Sequence, residues 1–237
     1  MKANSKQIPS WCPGCDNFMV LSALKGVLGD LKLAPKDVVI CYDIGCAGNM
    51  VNLLDACAVE TLHGRSIPVA SGVKSARPEL TVIAQAGDGG LLNEGLNHFI
   101  HAISRDDDIT LIVNNNLVFG LTAGQRSSAT PQGAVSRSDQ GGFAQVPLSV
   151  VDLCVASGGR FIARVLASDI NQTKTIIKKA LDFKGFAVVE IIEPCKIWAK
   201  NFPKTNYKKV KEPFQSRKNL IGKQNITGLL FKEQAKS

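Results

Sequence analysis

The sequence of 237 residues lacks long apolar runs, and no stretch reaches the roughly 18 apolar residues that span a bilayer. Its N-terminus, MKANSKQIPSW, also lacks the apolar region of a secretory signal peptide. Cysteine is present seven times, an odd number that argues against a secreted framework of paired disulfides. We therefore expect a cytoplasmic protein without membrane contacts, whose reduced thiols are available as ligands.

Excess charge is also missing from most of the chain. The whole sequence has a net charge of +8, but residues 200–237 alone hold nine lysines and one arginine against two glutamates, so residues 1–199 are neutral overall. This basic segment has few aromatic residues and no recognisable motif for reading nucleic acid, which disfavours nucleic-acid binding. Its proline, asparagine and lysine content predicts a loss of regular packing. We expect a flexible extension, or one that wraps around an acidic partner.

Five short segments rich in β-branched and apolar residues predict strands: residues 38–43, 81–86, 109–114, 161–166 and 187–192. Continuous apolar strands are typical of a parallel sheet covered on both faces. Helical periodicity lies between them, at residues 92–103 and less regularly at 170–181. The alternation predicts an α/β fold, a doubly wound and mostly parallel sheet formed by residues 1–199. Residues 120–147 show no apolar period, and a loop of that length is usually functional or ordered by a partner.

A glycine-rich turn follows the second predicted strand, at the edge where open parallel sheets bind ligands. The turn is Gly87-Asp88-Gly89-Gly90, directly before a predicted helix. Glycines and a helix N-terminus let the backbone approach a phosphate. Asp88 would repel that phosphate unless a hard cation lay between them, so the motif suggests a diphosphate bridged by Mg²⁺. An ordinary turn is the alternative.

A run of asparagines follows the third predicted strand, one helix and one strand after Asp88. This separation would bring Asp88 and Asn116 to neighbouring strand ends. Together with the carbonyl of Val118 they would supply three oxygen ligands of the roughly six that Mg²⁺ requires. The alternative is again a polar turn.

Four cysteines lie in predicted loops. Cys12 and Cys15 form a CxxC loop, which could be a redox pair, half of a zinc site or half of an iron–sulfur site. Since no strand precedes Cys12, a thioredoxin-like pair is disfavoured. Cys46 and Cys195 each follow a strand and would lie at the same sheet edge as the diphosphate site, where a redox cluster is more useful than a structural zinc. The remaining cysteines lie in apolar runs and are predicted to be buried: Cys41, Cys57 and Cys154.

The motifs WCPGC, DIGC, HGR, GDG, NNNLVFGLTAGQ and EPC, in this order over roughly residues 9–200, resemble the β subunit of 2-oxoacid:ferredoxin oxidoreductases. The resemblance implies a thiamine-diphosphate-binding fold that carries thiamine diphosphate, Mg²⁺ and one [4Fe–4S] cluster. It implies that the cluster ligands are Cys12, Cys15, Cys46 and Cys195. It implies that Mg²⁺ is bound by Asp88, Asn116 and the Val118 carbonyl. The implied thiamine-diphosphate contacts, with His63 also a candidate catalytic residue, are Ile44, Gly45, Cys46, Ala47, His63, Gly89, Gly90, Gly120 and Leu121.

The same resemblance implies an activity and its partners. A 2-oxoacid would be decarboxylated oxidatively to an acyl-coenzyme A, with electrons passing through the cluster to ferredoxin. An α subunit, or a fused γ/α subunit, would bind the aminopyrimidine end of the cofactor and supply the activating glutamate, so this chain alone is expected to be inactive.

Three departures from the family pattern bear on the substrate and the loop chemistry. Asp16 replaces the usual glycine after the second cysteine, Asn49 stands where a basic residue commonly follows the third, and Ala123 stands where GLTKGQ has lysine. The sequence therefore leaves the 2-oxoacid, the use of coenzyme A and the direction of flux open. A non-oxidative thiamine-dependent decarboxylase subunit and a zinc-stabilised binding protein are the alternatives. His98 and His101 have metal-binding spacing on a predicted helix, but we expect them to be structural or solvated.

Overall fold

A large β-sheet runs through residues 8–233, the part of the chain that the computed structural model describes. The strands in chain order are β1 (Val38–Tyr42), β2 (Cys57–Glu60), β3 (Thr81–Gly87), β4 (Thr110–Asn115), β5 (Val118–Phe119), β6 (Gln125–Arg126), β7 (Phe161–Leu166), β8 (Ala187–Ile192), β9 (Lys208–Lys209) and β10 (Ile226–Lys232). The α-helices are α1 (Asn17–Asp30), α2 (Ser66–Ala76), α3 (Leu96–Arg105), α4 (Val150–Ala156) and α5 (Ile170–Leu181). The order across the main sheet is β2-β1-β3-β4-β8-β7-β10-β9, and β5 and β6 form a separate hairpin.

Six neighbouring strands of this sheet run parallel to one another: β2, β1, β3, β4, β8 and β7. Every residue of β1, β4 and β8 is buried, because helices cover both faces of the sheet. Helices α2, α3 and α4 pack on one face with Val39 and Cys41. Helices α1 and α5 pack on the other face with Ile40 and Tyr42. The predicted doubly wound α/β fold and all five predicted strands are therefore confirmed.

The basic segment after Lys200 is more regular than its composition predicts. Strand β10 pairs antiparallel with β7, and β9 pairs with β10. Leu230 and Phe231 are buried in the core. The expected loss of regular packing is wrong for β10, since its backbone pairs with an edge of β7 that would otherwise be unpaired. The predicted boundary between residues 1–199 and the basic segment therefore falls within one continuous sheet. Residues 1–7 and 234–237, which belong to these two predicted regions, lie outside the described residues.

Two further features differ from the expectations. Strand β2 forms one edge of the sheet, and all four of its residues are exposed. The prediction that Cys57 is buried is therefore wrong, whereas Cys41 and Cys154 are buried as predicted. The apolar run around Cys57 did not predict burial correctly, because an edge strand lacks a neighbouring strand on one side. Residues 120–147 are mostly irregular apart from β6, as predicted.

A buried ion pair connects β7 to β8. Arg164 Nε lies 2.6 Å from Glu190 Oε2, and both side chains are almost fully buried. Asn115 Nδ2 donates to Glu190 Oε1 at 2.8 Å, and Arg164 Nη1 donates to the Gln224 carbonyl at 2.7 Å. Both carboxylate oxygens of Glu190 and two nitrogens of Arg164 are therefore hydrogen-bonded, and Arg164 also contacts the segment that leads into β10.

Replacing Arg164 by methionine is expected to lower the free energy of unfolding by about 3–5 kcal/mol, because Glu190 would keep a buried charge without a partner. The matched control is Arg77→Met, which removes an exposed pair with Glu79 and should have a much smaller effect, because water screens exposed ion pairs. Urea denaturation of both variants measures the difference. Equal losses in the two variants would contradict this role of Arg164.

No helix within residues 8–233 is both long enough and apolar enough to cross a membrane.

Candidate functional site

The carboxyl ends of β1, β3, β4 and β8 lie at one edge of the sheet, because these strands are parallel neighbours. Gly87 at the end of β3 pairs with Asn114 in β4. This register places the turn after β3 beside the asparagine run after β4. Asp88 Oδ1 accepts a hydrogen bond of 3.1 Å from the N–H of Asn116. The structure thus brings the two predicted Mg²⁺ ligands into contact.

Asp88 is a buried carboxylate whose two oxygens are both held. Oδ1 accepts from Asn116 N–H, and Oδ2 accepts from the hydroxyl of Ser127. Burial raises the pKa of Asp88 to about 7, although these two hydrogen bonds oppose the rise. A cation beside the carboxylate would favour its charged form and so reverse this shift. Sequence reasoning missed Ser127, which lies far from Asp88 in the chain and belongs to no recognisable motif.

The loop that carries Ser127 is anchored to the loop that carries the predicted ligands. Thr130 Oγ1 donates to the Leu117 carbonyl at 2.7 Å and accepts from the Ser127 N–H at 2.9 Å. Asn116 Oδ1 accepts from the Val118 N–H at 3.0 Å. Ser127 and Thr130 are both buried. The hydroxyl of Ser127 is therefore oriented toward Asp88 by a rigid connection.

Replacing Ser127 by alanine is expected to weaken Mg²⁺ binding by roughly 10- to 100-fold, the usual effect of losing a group that orients a metal ligand. The exposed Ser75, whose hydroxyl bonds only to its own helix, gives the control Ser75→Ala. Titration with Mg²⁺ in the presence of thiamine diphosphate measures both affinities. An unchanged affinity in Ser127→Ala would show that the hydroxyl is dispensable.

A cavity of about 80 Å³, here called the cofactor cavity, lies at this edge of the sheet. It is lined by all nine predicted thiamine-diphosphate contacts and by the three predicted Mg²⁺ ligands. The cavity is also lined by Gly87 of the glycine-rich turn and by three residues that the sequence had not singled out for a role: Asn114, Phe119 and Thr122. The ring of His63 lies 5.8 Å from that of Phe119, centroid to centroid. The structure therefore gathers these predicted residues around one space.

Two glycines let the backbone approach this cavity closely. A Cβ at Gly89 would meet the Phe119 ring at 2.5 Å, and a Cβ at Gly90 would overlap Asp43 Oδ2. Gly90 also starts a short helical turn that leads into α3, so backbone N–H groups at this helix start are available to an anion. The carboxylate, amide and carbonyl oxygens of the three predicted ligands match the preference of Mg²⁺ for oxygen. The residues present thus fit a diphosphate with its cation.

Asp43, at the end of β1, joins two of the loops that line the cavity. Its Oδ1 accepts from the N–H groups of Ile44 at 2.8 Å and Gly64 at 2.7 Å. Burial raises the pKa of Asp43, and those two hydrogen bonds and His63 oppose the rise. Within residues 8–233, Asp43 Oδ2 and His63 Nδ1 are buried without a hydrogen-bond partner. Both are polar atoms that a bound ligand or water can satisfy.

A second cavity of about 240 Å³, here called the sulfur cavity, adjoins the first. Its lining includes the four cysteines predicted as cluster ligands: Cys12, Cys15, Cys46 and Cys195. A Cβ at Gly120 would lie 3.3 Å from Cys46 Sγ and 3.9 Å from Cys195 Sγ, so these two sulfurs flank the glycine. Trp11 Nε1 donates to the Cys46 carbonyl at 2.7 Å and ties the CxxC loop to the loop after β1. Chain segments distant in sequence therefore bring the four cysteines to one space.

The arrangement of these sulfurs bears on the kind of metal site. In the described part of the chain, no group of three or more His, Cys, Asp or Glu side chains converges on a point where one metal ion could be held. A zinc site requires four ligands at about 2.0–2.3 Å from one ion. The four predicted cluster ligands line the wall of the sulfur cavity. His98 and His101, on α3, line neither cavity.

Burial in the sulfur cavity disfavours the thiolate form of Cys46. Burial, with smaller contributions from the neighbouring Cys15, Cys195 and Glu193, raises the pKa of Cys46 to about 12. Burial likewise raises the pKa of Glu193, to about 8. Metal binding reverses this preference, because thiolates are the ligand form and the metal charge stabilises them. Cys195 Sγ already accepts a hydrogen bond of 3.4 Å from the Trp198 N–H.

Comparison with known proteins identifies the family. The model for the C-terminal TPP-binding domain of thiamine pyrophosphate enzymes matches residues 43–191. The chain is 42% identical over 187 residues to the 2-oxoacid:ferredoxin oxidoreductase subunit beta of Saccharolobus solfataricus, covering 78% of this chain and 61% of that protein. It is 36% identical over 210 residues to the 2-oxoglutarate synthase subunit KorB of Archaeoglobus fulgidus, covering 89% of this chain and 78% of that protein.

A solved structure has the same architecture along nearly the whole chain. The 2-oxoglutarate:ferredoxin oxidoreductase from Magnetococcus marinus, with 2-oxoglutarate, coenzyme A and succinyl-CoA bound, superposes with a TM-score of 0.90 at 25% identity. The match covers 99% of this chain and 85% of that chain. The chain spans 61% of the Saccharolobus protein and 58% of a β subunit from Aeropyrum pernix. The sequence and structural similarities show that the chain belongs to the thiamine pyrophosphate enzymes and, among them, to the β subunits of 2-oxoacid:ferredoxin oxidoreductases.

Proposed function

We propose that this chain is the catalytic β subunit of a 2-oxoacid:ferredoxin oxidoreductase that holds thiamine diphosphate, Mg²⁺ and a [4Fe–4S] cluster side by side. The observation that carries the proposal is the shared wall of the two cavities. Cys46, Asn116, Gly120 and Leu121 line both of them. Thiamine diphosphate, on which decarboxylation takes place, and the cluster that accepts the electrons would thus be separated by single residues.

The cofactor cavity would bind the diphosphate end of thiamine diphosphate. Asp88, Asn116 and the Val118 carbonyl would hold Mg²⁺, and the backbone at Gly89 and Gly90 would face the phosphates. Thiamine diphosphate, when bound, supplies the electron sink that decarboxylation of a 2-oxoacid requires. The chain itself orients the cofactor and excludes water from its diphosphate end. His63 lines the cavity and would contact the cofactor there.

The sulfur cavity would hold the cluster through Cys12, Cys15, Cys46 and Cys195. Cys46 belongs to both cavities, so one cluster ligand would lie against the cofactor. The cluster, when bound, supplies a one-electron acceptor whose potential is tuned by its surroundings. The position of the cluster ligands beside the cofactor cavity favours an oxidoreductase over the two alternatives, a non-oxidative decarboxylase and a zinc-stabilised binding protein. Ferredoxin would be the acceptor beyond the cluster.

The open side of the cofactor cavity would be covered by a partner subunit. Ile44 and Leu121 line the cavity, yet 37% and 53% of their surfaces are exposed. Exposed apolar side chains at the mouth of a site are typical of surfaces that bind another protein. An α or fused γ/α subunit would bind there, complete the site around the aminopyrimidine end and supply the activating glutamate. A cytoplasmic location is part of the same proposal.

The substrate would be a 2-oxoacid, with coenzyme A as the acyl acceptor. Asn49 and Ala123, which replace basic residues of the family pattern, both line the sulfur cavity. They remove two cations that could contact a carboxylate of the substrate or a phosphate of coenzyme A. A substrate screen must therefore include monocarboxylic 2-oxoacids as well as 2-oxoglutarate.

The test is anaerobic co-purification with the partner subunit, followed by assays of several 2-oxoacids with ferredoxin or a viologen dye. We expect reduction of the acceptor that requires both subunits, coenzyme A and a 2-oxoacid, and no activity from this chain alone. Decarboxylation without iron or acceptor reduction would instead indicate the non-oxidative decarboxylase. Stoichiometric zinc with nucleic-acid binding through the basic segment would indicate the binding protein.

A further inference from the structure

A buried asparagine at the start of α1 contacts one of the cavity's sulfurs. Asn17 is 1% exposed and lines the sulfur cavity. Its side-chain Nδ2 donates to Cys15 Sγ at 3.5 Å. Asn17 thus directs polar hydrogens at this sulfur.

The orientation of the Asn17 amide is set by two residues of the central strands. Asn17 Oδ1 accepts from Asn114 Nδ2 at 3.0 Å, and Asn114 Oδ1 accepts from Gln85 Nε2 at 2.9 Å. Gln85 and Asn114 lie on β3 and β4 and are buried. Rotating the Asn17 amide by half a turn would place its NH₂ group against the NH₂ group of Asn114 and its oxygen against Cys15 Sγ. The donor to Cys15 is therefore held in place.

The position of Asn17 is not explained by helix capping or by packing. The N-cap of α1 is Asp16, and no side chain makes a capping hydrogen bond there. The next turns of α1 bury Val20, Leu21 and Leu24 in the core. A buried amide costs free energy unless its hydrogen bonds are made, and in Asn17 one of those bonds goes to a sulfur. The residue is thus placed to act on that sulfur.

A hydrogen bond to a cluster ligand has a known electrostatic effect. Reduction adds one electron to the cluster and increases the negative charge on its sulfurs, so N–H donors stabilise the reduced form. Loss of a donor makes the reduction potential more negative. We propose that Asn17 raises the reduction potential of the cluster through Cys15, with Asn114 and Gln85 as positioning residues; this inference rests on the cluster proposed above.

The test is a redox titration of the anaerobic holoenzyme, followed by electron paramagnetic resonance, in two variants. Asn17→Leu removes the amide without adding charge. Asn49→Leu is the matched control, since Asn49 lines the same cavity but donates to Ser10 Oγ at 2.9 Å and not to sulfur. We expect a more negative midpoint potential in Asn17→Leu and the wild-type value in Asn49→Leu. An iron-loaded Asn17→Leu enzyme with the wild-type potential would overturn the inference.

A second measurement covers the case in which Asn17→Leu fails to fold or to load iron. Wild-type holoenzyme and Asn49→Leu are labelled with ¹⁵N at the side-chain amide of asparagine, and the reduced cluster is studied by pulsed electron paramagnetic resonance. Both proteins should show hyperfine coupling to the labelled nitrogen. Absence of coupling in an iron-loaded enzyme would refute the role of Asn17 and leave the proposed cluster standing. A wild-type complex without iron would refute both the role of Asn17 and the proposed cluster.

Discussion

Replacing Cys195 by serine is expected to remove most of the iron of the proposed cluster and to abolish the proposed reduction of ferredoxin. Cys195 lies after β8 and, with Cys46, flanks Gly120 in the sulfur cavity. A serine hydroxyl is a much poorer ligand for cluster iron than a thiolate, which is the group that holds such clusters in proteins. Iron analysis and the visible absorbance of the anaerobically purified complex measure the loss.

The chain provides a matched control for this substitution. Cys57 is exposed on the edge strand β2 and lines neither cavity. Cys57→Ser should therefore retain the iron content and the activity of the wild type. If Cys195→Ser also kept its full complement of iron, the assignment of the four ligands would be wrong.

Replacing Gly90 by alanine is expected to lower the free energy of unfolding by about 1–3 kcal/mol, the usual cost of overpacking, and to weaken the binding of thiamine diphosphate. The added methyl group would overlap Asp43 Oδ2. Asp43 cannot move away freely, because its other oxygen holds the N–H groups of Ile44 and Gly64. The clash would therefore displace two loops that line the cofactor cavity. Calorimetric titration of the complex with thiamine diphosphate in the presence of Mg²⁺ measures the effect.

Gly72 offers the control for this second prediction. It lies in α2, and a Cβ there would meet nothing within 4 Å. Gly72→Ala should leave cofactor affinity unchanged and add slightly to helix stability. Equal affinities in the Gly90 and Gly72 variants would show that close packing at Gly90 has no part in binding.

Most of the central sheet could be predicted because its signals are local. Strands such as β4 and β8 are continuous apolar runs bounded by turn residues, which is the pattern of a parallel strand covered on both sides. The strand β10 could not be predicted in the same way. Its apolar residues are surrounded by lysines, and its pairing depends on a free edge of β7 more than sixty residues earlier. Likewise, the exposure of Cys57 follows from the edge position of β2.

The candidate site was predictable where unusual residue types follow strands. The combination of cysteines and a Gly-Asp-Gly turn after predicted strands could be noticed, and the parallel topology brings such strand ends together. By itself, then, the sequence determined the family, the α/β fold and the residues that now surround two cavities. These conclusions depend on residue type, order and spacing, all of which are local properties of a chain.

The supporting residues were decided only by the tertiary structure. Ser127 contacts Asp88 across 39 positions of the chain, and Asn114 contacts Asn17 across 97. Serine and asparagine are common in loops and helices, so neither carries a signal of its own. Their roles arise from burial beside a carboxylate and a sulfur, where an oriented hydrogen bond has a large effect because water is excluded. Likewise, the shared wall of the two cavities exists only once four parallel strands have aligned their ends.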